Sequence, residues 1–372
     1  MDRMPRWADV VLIPLLSVFL ALVVSGLVVL YIGESPLEAM AIMLRGAFGS
    51  AYGWGYTLYY ATNFIFTGLA VAVAFHARLF NIGGEGQAAL GGLGVAVVLL
   101  NIGWPHWSVA LVAAVLGSAL FGAAWAAMPA YLQARRGSHV VITTIMFNYI
   151  ASALLVYLLV NVFRVEGSMT PETARFAETV HLPNAADFAG FLGFRPTTPL
   201  NFSFFIALSC CVGVWILIWH TRLGYEIRAF GHSETAAVYA GINPARIVMS
   251  SMLVSGGLAG MMAVNTVMGE AERLVLDFVE GAGFVGIAVA LMGRSHPVGV
   301  VLAALLFGAL YQGGAELQFE MPAVSREMIV VIQALVILFT GALDNMVRLP
   351  MENLFLSLKR RRDAGGRSTP AE

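Results

Sequence analysis

Ten apolar runs recur along this 372-residue chain, at 10–33, 57–77, 87–103, 107–130, 139–162, 200–220, 247–268, 281–296, 298–315 and 327–347. Eight of them contain no Asp, Glu, Lys or Arg. A helix rises about 1.5 Å per residue, so about 20 apolar residues cross a hydrocarbon core roughly 30 Å thick. Ten such runs in succession cannot all be hidden from water in one soluble core. Apolar residues make up 59% of the chain and charged ones 12%, against about 45–50% and about 25% in soluble domains. Leaving that surplus in water costs roughly 25 cal/mol per Å²; lipid removes the cost. The expected fold is an all-α polytopic membrane protein with about ten transmembrane helices.

The third, eighth and ninth runs are short or broken by glycine, so a tilted or re-entrant course is open to them. Segment 36–50 has the mixed character of an interfacial helix. Residues 1–350 read as one transmembrane domain. Within it, 163–199 is a proline-bearing external insertion and 221–246 is the longest internal loop between spans. Residues 351–372 read as a basic cytoplasmic tail without order. With both termini inside, fifteen Lys and Arg fall on the cytoplasmic side, including Lys359–Arg362, and six fall outside; that is the asymmetry expected of a multi-pass inner-membrane protein. The first run is longer than the apolar part of a signal peptide and is read as an uncleaved span.

Several chemistries are excluded by what is missing. The one lysine, Lys359, is followed by Arg360, so the chain has no G-x-x-x-x-G-K-[ST] phosphate loop. If ATP drives this molecule, a separate polypeptide hydrolyses it, and this chain itself is expected to bind no cofactor. Cys210 and Cys211 are neighbours in a run and have no metal-ligand spacing. Neither H-E-x-x-H nor G-x-S-x-G occurs, so no enzyme is expected. No basic face suggests nucleic acid.

Two polar segments interrupt the apolar pattern. Phe80–Gln87, FNIGGEGQ, lies where the second run reaches the inner side. Its glycines permit a broken helix at membrane depth, which is tolerated only in protein or beside water. Glu85 would cost about 2.5–3.5 kcal/mol at a helix centre, so a place near the boundary or a partner is expected, with Arg78 a candidate; Glu85 and Gln87 are read either as part of a capped turn or as substrate-pathway residues with a direct role in substrate contact or gating. In the internal loop, Ser233 is an expected N-cap and Gly241 an expected stop. The small residues Ala236, Ala237, Ala240 and Gly241, expected to be exposed, would let a partner protein approach, with Arg228 and Glu234 aligning it. Residues 68–97 and 257–290 also share a glycine-rich pattern on runs of opposite direction, as an inverted repeat requires.

Phe80–Gln87, the pattern G-Y-E-I-R-A-F-G-H-S-x-x-A-A-x-Y-A-G-I and the later G-x-x-G-I-A-V-A-L-M-G-R-x-x-P together resemble permease subunits of the ribose and branched-chain amino acid class of ATP-binding-cassette importers. The nearest resemblance is to the larger permease of nucleoside importers served by basic-membrane-protein-type lipoprotein receptors, over roughly residues 10–345. Gly84 stands where many of those relatives are expected to carry alanine. The resemblance implies an ATP-binding-cassette ATPase, a second permease forming a heterodimer, and a periplasmic or lipoprotein substrate-binding protein. It also implies that 226–241 couples to the ATPase, and that the chain sits in a bacterial cytoplasmic membrane.

Substrate contacts are expected among amides and rings inside the runs: Asn63, Phe64, Asn148, Tyr149, Asn265 and Gln333. An amide pairs with hydroxyls or a base edge, and a ring stacks on a base or sugar face; each could equally serve helix packing. Few charges lie inside the runs, which suits a neutral solute, a nucleoside first and a simple sugar second. The competing class is an ion-coupled secondary transporter.

Overall fold

The computed structural model describes residues 12–339, apart from Glu166 and Pro196, together with Met351. The basic tail after Met351, the first residues of the chain and the far end of the tenth run lie outside the described residues, as does the placement of both termini.

All ten runs are helical where described. They correspond to α1 (Ile13–Tyr31), α3 (Ala51–His76), α4 (Gly84–Asn101), α5 (Trp107–Arg136), α6 (Val140–Asn161), α8 (Ser203–His220), α11 (Pro244–Ala263), α12 (Ala282–Met292), α13 (Pro297–Glu320) and α14 (Arg326–Ile337). Between them lie α2 (Pro36–Phe48), a five-residue α7 (Ala185–Ala189), α9 (Arg222–His232) and α10 (Glu234–Tyr239). A π-helical turn, Val264–Glu270, prolongs α11. Among the described residues six helices are long and apolar enough to cross a membrane, or seven if α1 and α2 form one bent span. The chain turns by 118° between Leu15–Tyr31 and Pro36–Phe48, so α2 departs from the line of α1 as an interfacial helix would. The ninth run, open to a re-entrant course on sequence, belongs to the 24-residue α13. The eighth is different: the 11 residues of α12 rise only about 16 Å and cannot span.

Local chemistry sets the helix ends. Ser50 Oγ accepts from Gly53 N at 3.0 Å to start α3, and Thr221 Oγ1 accepts from Gly224 N at 3.0 Å to start α9. Ser233 Oγ accepts from Ala236 N at 3.3 Å to start α10, and Gly241 follows it at φ +82°, a left-handed turn that suits glycine. Asn243 caps α11, with Pro244 at its first position.

Two compact units share the chain. The smaller comprises 1–43 and 314–372; in it α1 packs on α14, and Val29, Ala39, Ile42, Leu317, Ile329 and Ile332 form a buried cluster. The larger comprises 44–313. At its centre α3 is buried almost throughout from Ala61 to Ala74. Beside it α4, α5 and α11 meet backbone to backbone at glycines: Gly91 against Gly260, Gly94 against Gly117, and Gly122 against Gly256 and Gly260. A Cβ on Gly260 would lie 2.3 Å from the Ser118 carbonyl oxygen, so no larger residue fits without parting α5 from α11. Helices α5, α6 and α8 turn apolar side chains such as Leu116, Leu120, Ile142 and Val212 outward, which suits lipid.

Candidate functional site: a ring-walled cavity above two opposed half-helices

The larger unit has two ends. At one, the insertion 163–199 lies against the start of α3 and the residues after the π turn: a Cβ on Gly55 would meet Thr198, and Arg175 and His181 both pair with Glu272. At the other, α9 abuts the end of α3, where a Cβ on Gly231 would lie 2.0 Å from the His76 carbonyl oxygen.

The two segments of the expected repeat run in opposite directions between these ends. Helix α3 runs from the insertion end to the α9 end, after which 77–83 is non-helical and α4 returns. Helix α11 runs the opposite way, after which 271–281 is non-helical and α12 runs back toward the α9 end. The copies are exchanged in packing, α12 lying on α3 and α4 on α11. Their half-helices meet head to head. The Glu85 carboxylate on the first turn of α4 accepts from Gly281 N and Gly283 N, each at 2.9 Å. A Cβ on Gly283 would lie 2.2 Å from Glu85 N. The partner expected of Glu85 was Arg78; the structure gives it the open N–H groups of α12 instead, which a carboxylate satisfies with favourable charge.

Above this junction, on the insertion side, is a cavity of about 320 Å³, within the range of small-molecule sites. One wall is α3, whose Tyr56, Tyr60 and Phe64 recur every fourth residue on one face, with Tyr311 of α13 beside them. Ring centroids of Tyr60 and Phe64 lie 5.6 and 5.0 Å from that of Tyr311. The opposite wall is Glu270 and the non-helical 275–280, which bring Asp277 and Glu280; Ala282 and Asn63 also line the cavity. Glu272, Asp277 and Glu280 all adopt positive φ, at 54°, 56° and 48°. Left-handed backbone at non-glycine residues stores strain and concentrates at functional sites.

Polar bonds hold the α3 wall in place. Asn265, on the π turn, donates to Asn63 Oδ1 at 2.7 Å and to the Tyr59 carbonyl oxygen at 3.1 Å. Its own Oδ1 accepts from Asn201 Nδ2 at 2.9 Å and from Ser203 Oγ at 2.8 Å. Tyr59 donates its hydroxyl to Glu270. A π turn is rare and tends to mark functional places; here it turns Asn265 toward α3.

Of the residues expected to contact substrate, Asn63 and Phe64 line the cavity, and Asn265 is buried behind Asn63. Asn148 holds the turn before α4 instead: its Oδ1 accepts from Gly86 N and its Nδ2 donates to the Ile82 carbonyl oxygen, each at 2.9 Å. Gln87 is engaged with Asn81 in the same turn. Tyr149 is 70% exposed on the outward side of α6, away from the cavity. Gln333 belongs to α14, in the smaller unit. The tyrosines, Glu270, Asp277 and Glu280 went unremarked on sequence; the spacing of Tyr52, Tyr56, Tyr60 and Phe64 was the available signal.

At the other end α9 and α10 present the expected coupling residues. Glu234, Ala236, Ala240 and Gly241 are exposed and Arg228 is half-buried. Ala237 corrects the sequence expectation: at 3% exposure it faces inward, because it lies one residue round the α10 turn from the outward face. Tyr239, 94% exposed, and Val238 project there instead.

The family described as "Branched-chain amino acid transport system / permease component" matches residues 53–341. Among similar proteins is the guanosine ABC transporter permease of Bacillus subtilis, 34% identical over 89% of this chain and 93% of that one. The glucose ABC transporter permease of Haloferax volcanii is 33% identical over 88% of this chain and 86% of that one. The nucleoside ABC transporter permease of Lactococcus lactis subsp. cremoris is 31% identical over 88% and 90%. No solved structure matches the chain. With its matched span reaching from the start of α3 past α14 and its helices built as an inverted pair, this chain belongs to the branched-chain amino acid transport system permease family and is a membrane-spanning transport subunit.

Proposed function

We propose that this chain is one of two paired permeases of an ATP-driven nucleoside importer in a bacterial cytoplasmic membrane, with the insertion end outside and α9–α10 inside. The observation that carries the substrate is the cavity: a stripe of rings at Tyr56, Tyr60, Phe64 and Tyr311 faces carboxylates at Glu270, Asp277 and Glu280. A ring face takes a base by stacking, worth about 1–3 kcal/mol per base. A carboxylate accepts from ribose hydroxyls or base N–H groups. Among the described residues the lining contains no Lys, Arg or His, which disfavours an anionic solute. Similarity to guanosine and nucleoside permeases supports the same choice.

Bacillus subtilis and Lactococcus lactis each hold two permeases similar to this chain, which supports a heterodimer of permeases. The ATPase is a separate chain that engages α9 and α10, and a substrate-binding protein delivers the solute at the insertion end. ATP binding shifts the population between two packings of the helices.

The test is uptake by proteoliposomes containing this chain, its partner permease, the ATPase and the receptor. The expected result is ATP-dependent accumulation of labelled guanosine or another nucleoside, unaffected by excess glucose. Glucose accumulation would move the assignment to the sugar reading that the Haloferax volcanii relative supports. Gradient-driven accumulation by this chain alone would end the ATP-driven reading.

A further inference from the structure

The junction of the two half-helices has the form of a latch. Its carboxylate, Glu85, belongs to one repeat, and the backbone it holds, 281–283, belongs to the other and ends at the cavity lining through Ala282. Each side of the latch is anchored separately. On the first, Asn148 and Asn81 fix the turn before α4, and Asn81 donates to Ser255 Oγ at 2.8 Å, which donates to the Ala70 carbonyl oxygen at 2.6 Å. On the second, the residues after α12 meet the end of α3: His76 Nε2 lies 3.1 Å from the Ser295 carbonyl oxygen, and the Trp219 ring centroid lies 5.3 Å from that of His76 and 5.0 Å from that of His296. Gly231 of α9 rests on that same His76 backbone. A short helix therefore joins the α9 face to the floor of the cavity, and Glu85 holds its cavity end.

We propose that Glu85 is a positioning residue for transport: its carboxylate keeps α12 seated as the cavity floor, and loss of its two hydrogen bonds to α12 unseats that floor. Glu85 does not line the cavity and acts on the solute only through α12. The inference rests on reading the cavity as the transport site, and its test does not depend on which solute is carried.

Ala282 is 4% exposed. With Cys210→Ser and Cys211→Ser as background, Ala282→Cys reports opening of the floor through its rate of reaction with a charged, membrane-impermeant thiol reagent. In the assembled importer, Glu85→Ala is expected to raise that rate at least about tenfold, since the loss of one charged hydrogen bond suffices for that and two are lost. Glu85→Gln, which keeps one acceptor oxygen, falls between. Gly283→Ala leaves the carboxylate in place but forces a Cβ against Glu85 N, and is expected to reproduce the fast reaction. Uptake falls in all three in the same order. Unchanged labelling in Glu85→Ala, whether uptake is lost or kept, overturns the proposal; lost uptake with unchanged labelling would make Glu85 a solute contact. If Glu85→Ala fails to assemble, the Gln and Gly283→Ala variants decide by the same labelling criterion. Failure of nucleoside uptake by the unaltered importer, with labelling as expected, would remove the substrate assignment and leave the latch.

Discussion

Asn265 Nδ2 and Asn63 Oδ1 lie 2.7 Å apart, so the π turn that prolongs α11 and the cavity face of α3 are joined by a bond between two side-chain amides. Asn265 uses both donors and both acceptor positions on four different groups. Replacing it by leucine, which has similar size and no polar atom, takes a hydrogen bond from each of Asn63, Asn201 and Ser203 at once. An interhelical hydrogen bond in a membrane averages about 0.6 kcal/mol, so the four amount to about 2 kcal/mol. Asn265→Leu is expected to lower the unfolding temperature in detergent, and to do so more than Asn161→Leu, whose side chain donates only to its own helix at the Tyr157 carbonyl oxygen. Equal losses from the two substitutions would show that the four-way amide has no special weight.

The ring wall makes a graded prediction. Tyr311→Ala should raise the KM for a nucleoside about tenfold, the lower part of the 1–3 kcal/mol range for stacking on one ring. Tyr311→Phe keeps the ring face and should stay within about twofold of the original by the same reasoning. Initial uptake rates over a concentration series measure both; an equal effect of the two would assign the Tyr311 contribution to its hydroxyl.

On the α9–α10 face the informative substitution is Ala236→Trp, because Ala236 is exposed and Ala237 is not. Ala236→Trp and Tyr239→Asp are expected to abolish co-purification of the ATPase with normal insertion of this chain. Ala237→Trp should instead lower the yield of folded protein, since a buried methyl site has no room for an indole and overpacking costs about 1–3 kcal/mol or more. Retention of the ATPase by both surface variants would move the coupling site off α10.

The insertion is tied to the cavity wall through residue 272. Glu272 pairs with Arg175 and with His181, and Phe176 N donates to the Glu272 carbonyl oxygen at 2.8 Å. Arg175 is largely exposed, so the ion pair itself contributes about 0.2–1 kcal/mol and Glu272→Ala should leave overall stability nearly unchanged. Its effect is local: trypsin should cut after Arg175 faster than in the unaltered protein, which peptide mapping of brief digests reads directly. An identical digestion course would mean that the backbone bonds alone hold the strap.

The helices were legible because lipid imposes a simple rule, about 20 uncharged residues per crossing, and runs such as 107–130 and 139–162 obey it. Segment Phe80–Gln87 was legible as a break because a carboxylate and three glycines interrupt an apolar pattern. The cavity was not legible in the same way. Its walls join Tyr59 to Glu270 and Phe64 to Tyr311, contacts between residues more than two hundred positions apart, and no local pattern encodes which distant segment faces which. Tyr56 and Tyr60 near a run's beginning also look like interfacial anchors. Asn148 shows the converse: an amide inside a run is a fair candidate for a solute until the backbone groups of Ile82 and Gly86 are found already occupying it.

At Gly91, Gly122 and Gly260 the backbones of α4, α5 and α11 touch with no side chain between them to yield under load. Three rods in bare contact cannot be squeezed or swollen; they travel as a single solid or stay still. Alternation between one opening and the other must then be a swing of whole pieces about a joint, as with a rocker arm, and any change that introduces play into that solid would dissipate the stroke before it reached the solute.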